Sequence, residues 1–144
     1  MQTLTTAAAV KSPRRPRVSL GLLRVLLTAH LISVLAQPVL AGLFLAGDVD
    51  AIDFHGVNAG LLDVAAMCAA GVAVGYVLVG RGRWWVLPAT VLLFLADSMQ
   101  VAVGYDRMLE WHIPLGVTIV VVSVLLAIWV WSPRAARPRS GGRS

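Results

Sequence analysis

The chain has 144 residues, of which 58% are hydrophobic and 13% are charged, with a net charge of +5 and a mean hydropathy of +0.82. A water-soluble domain of this size needs more charged surface than this composition supplies, so the sequence predicts a single integral membrane domain. A nucleic-acid partner is not expected, because the basic residues are grouped beside the apolar segments and form no basic face. The single cysteine, Cys68, excludes an intrachain disulfide and a CxxC motif.

Residues 1–18 include the stretch "KSPRRPR" and are expected to form a disordered basic arm, because Pro, Arg and Ser cannot bury enough apolar surface to fold. The first apolar segment follows at about 20–45. A cleavable signal peptide is the alternative for this segment, since "VLA" precedes both Gln37 and Gly42. The apolar run is long for a signal peptide, which favours a membrane span.

Three further apolar segments follow, at about 55–79, 86–104 and 112–131. Each of the four segments has roughly 19 to 26 residues, enough at about 1.5 Å per residue to cross about 30 Å of hydrocarbon. The connections between them are short, so consecutive segments must lie antiparallel. Residues 19–131 are therefore predicted to form an all-α, up-down, four-helix membrane bundle, followed by a disordered basic tail at 132–144.

The charges are sorted along the chain. Eleven of the twelve Lys and Arg residues lie in the stretch 11–24, in the "GRGR" turn at 80–83, or in the tail, whereas five of the seven acids lie in or beside the other two connections. The positive-inside rule then places both termini in the cytoplasm of a bacterium, with the protein crossing the plasma membrane four times. The basic tails are also expected to attract anionic lipid head groups, although their charge alone suffices to set the topology.

Polar side chains cluster in the outer half of the predicted bundle. His55 and His112 begin the second and fourth segments, within about one helical turn of the outer surface. Six further polar residues fall below them: Gln37, Asn58, Asp63, Asp97, Ser98 and Gln100. His30 lies deeper. Such groups are costly in hydrocarbon and mark either a functional site or a buried hydrogen-bond network, in which Asp63 and Asp97 could share a proton.

The surroundings of the two histidines are repeated. "DFHGVNAG" (53–60) and "EWHIPLG" (110–116) share an acid, an aromatic residue, a histidine and a following glycine, and "QPVLAG" (37–42) parallels "QVAVG" (100–104). The repeat predicts two similar hairpins related by a pseudo-two-fold axis, across which His55 and His112 would face each other.

Two opposed imidazoles suit axial ligation of a haem iron, with the second nitrogen of each ring oriented by a carbonyl or a carboxylate. The residues expected to line this haem b site, besides the two histidines, are Gln37, Gly56, Asn58, Gly60, Gln100 and Gly116. The glycines would leave room for the macrocycle, or they would serve close helix packing, since 56–60 is a GxxxG motif. A zinc or copper site completed by Asp53 and Glu110 is a further alternative.

The order of Gln37, Ala41-Gly42, His55, Gln100 and "HIP" at 112–114 resembles a family of small four-span bacterial membrane proteins of unassigned function, over residues 25–131. More distantly, the chain is similar to one four-helix half of haem A synthase. The halves of that enzyme ligate haem through histidines at the outer ends of the second and fourth helices, which implies His55 and His112 as ligands here. The catalytic half also carries a glutamate three residues before a ligand, where this chain has Ile52 and Leu109. Haem binding, but not haem A synthesis, is therefore implied.

Three functions remain open. The leading one is a haem protein that transfers electrons or senses redox state, as a homodimer or as a subunit of a larger membrane complex. The second is a structural or assembly subunit, and the third is a proton or cation pathway through Asp63, Asp97 and His30. An enzyme is less favoured, because the sequence has no nucleophile elbow, P-loop or HExxH motif.

Overall fold

The computed structural model describes residues 17–139, which form four α-helices and no strand. The helices are α1 (Arg17–Leu45), α2 (Ala51–Leu78), α3 (Val86–Tyr105) and α4 (Leu109–Trp131). All four are long and apolar enough to cross a membrane, with mean hydropathies between 1.8 and 2.6 over their most apolar windows. The prediction of an all-α chain with four membrane-length helices is confirmed.

Three helices begin earlier than the apolar pattern predicts, since α1 begins at residue 17 instead of about 20. α2 begins at residue 51 instead of 55, and α4 begins at 109 instead of 112. Asp53 and Glu110 lie in the first turns of these helices, where a carboxylate interacts favourably with the positive end of the helix dipole. Each predicted ligand histidine therefore lies inside a helix, about one turn from its start, and its backbone is held rigidly.

The four helices pack so that α1 and α3 each contact both α2 and α4. Helices α1 and α3 therefore lie on one diagonal of the bundle, and α2 and α4 lie on the other. We call the end that holds the connections 46–50 and 106–108 the loop end. We call the opposite end, with the start of α1, the turn 79–85 and the end of α4, the basic end.

The core is apolar and closely packed toward the basic end, and its outer surface is apolar as well. Ala66, Ala69 and Ala73 line the buried face of α2 without any exposure, which lets neighbouring helices approach closely. Many large apolar side chains instead face away from the bundle, for example Ile32 and Leu125. An apolar exterior around a bundle of this length is the arrangement expected of helices surrounded by lipid.

Part of the predicted C-terminal tail is folded. The structure describes the tail as far as residue 139, and within it Ala135 is fully buried. The hydroxyl of Tyr76 donates a hydrogen bond of 2.8 Å to the carbonyl of Ala135, and the backbone N–H of Arg139 donates one of 2.8 Å to the carbonyl of Arg81. The tail is therefore held at Ala135 by the end of α2 and at Arg139 by the α2–α3 turn. The predicted arm lies outside the described residues except for the first two residues of α1.

Candidate cofactor site between two histidines

His55 and His112 meet at the centre of the bundle, near the loop end. They belong to α2 and α4, the two helices of one diagonal, and their ring centroids are 6.3 Å apart with the ring planes tilted by 46°. Both side chains are partly buried. The structure therefore brings together the two residues that the sequence repeat relates.

In the first hairpin, Gln37 holds His55 through two hydrogen bonds. The ring Nδ1 of His55 donates to the backbone carbonyl of Gln37 at 3.3 Å, and the side-chain Nε2 of Gln37 donates to the backbone carbonyl of His55 at 3.3 Å. Because a carbonyl can only accept, the proton must be on Nδ1 of His55. The neutral ring then carries the lone pair of a metal ligand on Nε2.

In the second hairpin, Gln100 holds His112 in the same way. The ring Nδ1 of His112 donates to the backbone carbonyl of Gln100 at 3.1 Å, and the side-chain Nε2 of Gln100 donates to the backbone carbonyl of His112 at 2.9 Å. Both histidines are therefore in the same tautomer, and each is oriented by a glutamine on the preceding helix. Orientation by such a hydrogen bond is usual for histidines that bind metal ions.

Each of the two glutamines also has a side-chain oxygen without a hydrogen-bond partner. The side-chain oxygens Oε1 of Gln37 and Gln100 are both buried and have no hydrogen-bond partner among the described residues. An unsatisfied buried acceptor costs about 1–3 kcal/mol, so native structures contain few of them. The two orphan acceptors lie at equivalent positions in the two hairpins, beside the histidines.

The glycines around the site have two different roles. A Cβ on Gly104 would lie 2.8 Å from Cε1 of His112, and a Cβ on Gly116 would lie 2.9 Å from Nε2 of Gln100. These two glycines therefore let the second histidine and its glutamine pack against neighbouring backbone. In contrast, a Cβ on Gly56 or Gly60 would meet nothing within 4 Å, so open space lies beside α2. Gly104 was absent from the predicted site, although the repeated "QVAVG" pattern contains it.

Asn58 has a structural contact. It lies one turn from the first histidine, and its side-chain Nδ2 donates a hydrogen bond of 2.8 Å to the carbonyl of Ser33. The amide N–H is therefore used to join α2 to α1 instead of pointing at a ligand.

A second polar cluster lies deeper and joins the other diagonal. Nε2 of His30 on α1 is 2.8 Å from Oδ2 of Asp97 on α3, and both side chains are buried. Oγ of Ser123 on α4 is 3.3 Å from Nδ1 of the same histidine. Asp63 is not the partner of Asp97, because its Oδ1 accepts a hydrogen bond of 2.7 Å from Ser98. Each carboxylate thus has its own hydrogen-bond partner, and the two do not form the proton-sharing pair that the sequence suggested as one alternative.

The order Ser123, His30, Asp97 has the residue types of a catalytic triad but not its chemistry. The hydroxyl of Ser123 donates at 2.7 Å to the carbonyl of Ile119, one turn earlier on α4, and the side chain is only 2% exposed. Its proton is therefore committed to the backbone and its oxygen is inaccessible to a substrate. The cluster ties three helices together at the centre of the bundle.

A metal ion held by the protein alone would need more ligands. Within residues 17–139, no group of three or more His, Cys, Asp or Glu side chains could hold an ion. The zinc and copper alternative requires Asp53 and Glu110 to complete a ligand group with the two histidines, and the structure shows no such group among these residues. Two histidines do suffice for a group that brings its own equatorial ligands, as a porphyrin does.

Comparisons with protein-family models, with curated proteins and with solved structures found no match for this chain. The function is therefore inferred from the geometry of its own residues.

Proposed function

We propose that the protein binds a b-type haem, with His55 and His112 as the two axial ligands. The spacing of the rings carries this proposal. Two imidazoles on opposite sides of one metal ion, with bonds of about 2 Å and about 1.1 Å from each nitrogen to its ring centre, have centroids about 6 Å apart. The two rings here are 6.3 Å apart.

The chemistry of the surrounding groups fits the same cofactor. Both rings carry their proton on Nδ1, which leaves Nε2 as the ligating atom. A side chain at Gly56 or Gly60 would contact nothing within 4 Å, so neither position obstructs the approach of a macrocycle along α2.

A bound haem would supply one-electron redox chemistry, and the protein would supply its ligands and surroundings. If His55 and His112 held the haem iron from both sides, no ligand position would remain for a small molecule. This favours electron transfer or redox sensing over oxygen binding.

The matched pairs of hydrogen bonds support the proposed internal repeat, whose pseudo-two-fold axis would pass between the two histidines. The positive-inside rule supports an orientation with the basic end in the cytoplasm, so that the haem would lie in the extracytoplasmic half of a bacterial plasma membrane. A partner that exchanges electrons with this haem would approach the loop end.

The deeper polar residues fit helix pairing better than a proton path. Beyond His30, toward the basic end, the buried residues of α1 are leucines, namely Leu20, Leu23 and Leu27. On α3 the buried polar residue between Asp97 and the basic end is Thr90, whose hydroxyl already donates to the backbone carbonyls of Val86 and Leu87. No Asp, Glu, His, Lys or Arg side chain is buried between Asp97 and the basic end in the part of the chain that the structure describes, so a relay of proton-carrying groups is not continued there. We therefore assign the His30–Asp97 pair a structural role in helix pairing. This role is compatible with a haem at the loop end.

The test is an absorbance spectrum of the protein purified in detergent after expression with added haem precursor. We expect a Soret band and, after reduction with dithionite, the sharp α-band of a low-spin haem with two histidine ligands. The H55A and H112A variants should each lose this spectrum, while N58A, altered one turn from His55, should keep it. Wild-type protein without a Soret band, even after titration with hemin, would refute the proposal.

A further inference from the structure

The basic end carries a cleft that the proposed haem does not use. Its volume is about 390 Å³, within the range of about 300–1,000 Å³ typical of small-ligand sites. The cleft lies between the α2–α3 turn, the end of α4 and the folded part of the tail. Its lining consists of three arginines and three tryptophans: Arg83, Arg134, Arg139, Trp84, Trp85 and Trp129.

The cleft is formed by specific contacts that hold the tail in place. Tyr76 is fully buried, and its hydroxyl donates to the carbonyl of Ala135. The backbone of Arg139 is in turn bonded to Arg81, which adopts a left-handed conformation with φ of 52°. A side chain on Gly82 would overlap the ring of Tyr76, so glycine is required there. These contacts bring Arg134 and Arg139 to the same cleft as Arg83.

No Asp or Glu side chain neutralises the charge of the cleft. Of the seven acids, five lie in or beside the connections of the loop end, and Asp63 and Asp97 lie within helices. Asp97 is paired with His30 in the one ion pair found among residues 17–139. Three guanidinium groups therefore line one cleft with no carboxylate side chain at that end of the molecule. Guanidinium groups bind phosphate oxygens through paired hydrogen bonds.

The tryptophans and the neighbouring helix surface indicate which kind of phosphate-containing molecule the cleft can bind. Trp84 is 64% exposed, and Trp85 packs edge to face on Trp129 with ring centroids 4.5 Å apart. Tryptophan is enriched at the level of lipid head groups. Leu78, the last residue of α2, and Val79, which follows it, are at least 70% exposed at this end. A ligand here can place a phosphate in the cleft and acyl chains against apolar helix surface.

We propose that this cleft is a binding site for the phosphate of an anionic phospholipid. Basic sites between transmembrane helices bind such head groups. A soluble phosphate ester offers the same phosphate to the arginines, but it would make no use of the apolar surface beside the cleft. The lipid and the soluble ester are therefore separate arms of the test.

The experiment measures lipid binding to the purified full-length chain by native mass spectrometry, with phosphatidylglycerol, phosphatidylcholine and soluble glycerol 3-phosphate as probes. We expect phosphatidylglycerol to bind at least tenfold more tightly than phosphatidylcholine. Each of R83Q, R134Q and R139Q should weaken phosphatidylglycerol binding about fivefold, and the triple variant about a hundredfold.

Two control variants separate the cleft from general positive charge. R107Q removes an arginine from the loop end, and the triple variant K11Q/R14Q/R15Q removes three charges from the N-terminal arm, so both should keep the preference for phosphatidylglycerol. Y76F retains all the arginines but loses the hydrogen bond to the tail, so it should weaken binding. Helix content and elution volume on gel filtration show whether each variant is folded.

Three results would overturn the proposal. The first is equal affinity for the two lipids, and the second is an equal loss of binding from the arm and cleft variants. The third is tight binding of glycerol 3-phosphate without preference for the lipid, which would assign the cleft to a soluble phosphate ester. Because no haem is involved, failure here is independent of the haem spectrum.

Discussion

Gly42 and Gly104 occupy similar places in the sequence repeat, yet the structure predicts opposite effects when each is replaced by alanine. A methyl group on Gly104 would lie 2.8 Å from Cε1 of His112, whereas an ordinary contact begins at 3.4 Å, so the ring has to move by about 0.6 Å. A shift of this size directed away from Gln100 would break the 3.1 Å hydrogen bond that orients the ring. A methyl group on Gly42 would meet nothing within 4 Å.

The magnitudes follow from two opposing effects. Alanine stabilises a helix interior by about 0.8–1.0 kcal/mol relative to glycine, whereas forcing extra volume into a packed site costs about 1–3 kcal/mol. We therefore expect G42A to be more stable than wild type by up to about 1 kcal/mol, and G104A to be less stable by about 1 kcal/mol. If haem is bound by His112, a displaced ring should also weaken haem affinity by at least tenfold in G104A and leave it unchanged in G42A.

Stability can be measured by unfolding of the detergent-solubilised variants with increasing SDS, followed by circular dichroism. Haem affinity can be measured by titration with hemin at the Soret maximum. Equal stability changes in the two variants would contradict the geometric reasoning. A G104A protein that loses stability but keeps full haem affinity would show that His112 is packed at that glycine without acting as a ligand.

Two further predictions concern the deeper cluster and the basic end. D97A leaves His30 buried without its partner, so it should destabilise the bundle by about 3–5 kcal/mol in the same SDS unfolding assay. The control variant S98A loses one hydrogen bond and should cost only about 1 kcal/mol. Equal losses of stability in the two variants would contradict a buried ion pair. G82A should displace Tyr76 and release the tail, so trypsin should cleave after Arg134 several-fold faster than in wild type, and an unchanged cleavage rate would show that the tail is held by other contacts.

The number of helices and their order in the bundle were predictable from the sequence. Four long apolar runs separated by short polar connections leave few other arrangements in a membrane, because every backbone polar group has to be bonded within a helix. The juxtaposition of His55 and His112 was also predictable, since both lie near the start of a helix at the same end of an up-down bundle. The repeat of acid, aromatic residue and histidine then marked the two as equivalent.

The partners of the deeper polar residues could not be predicted from the sequence. The sequence suggested that Asp63 and Asp97 could share a proton, but Asp63 accepts a hydrogen bond from Ser98, the residue next to Asp97, and Asp97 is bonded to His30. The counted depths of the two carboxylates were therefore close, and the rotation of α3, in which successive side chains differ by about 100°, decided the partners. The folded part of the tail was missed because its composition resembles that of disordered segments, and the contact that holds it comes from Tyr76, 59 residues earlier in the chain.

The sequence by itself determined which parts of this chain can cross a membrane and which residues are too polar to face lipid, because hydropathy and span length are properties of consecutive residues. Only the tertiary structure decided which polar atoms meet, which glycine gives room to a ring and where three distant arginines converge. Those outcomes depend on the relative rotation and depth of packed helices, and a difference of one residue along a helix turns a side chain by about 100° and moves it by about 1.5 Å.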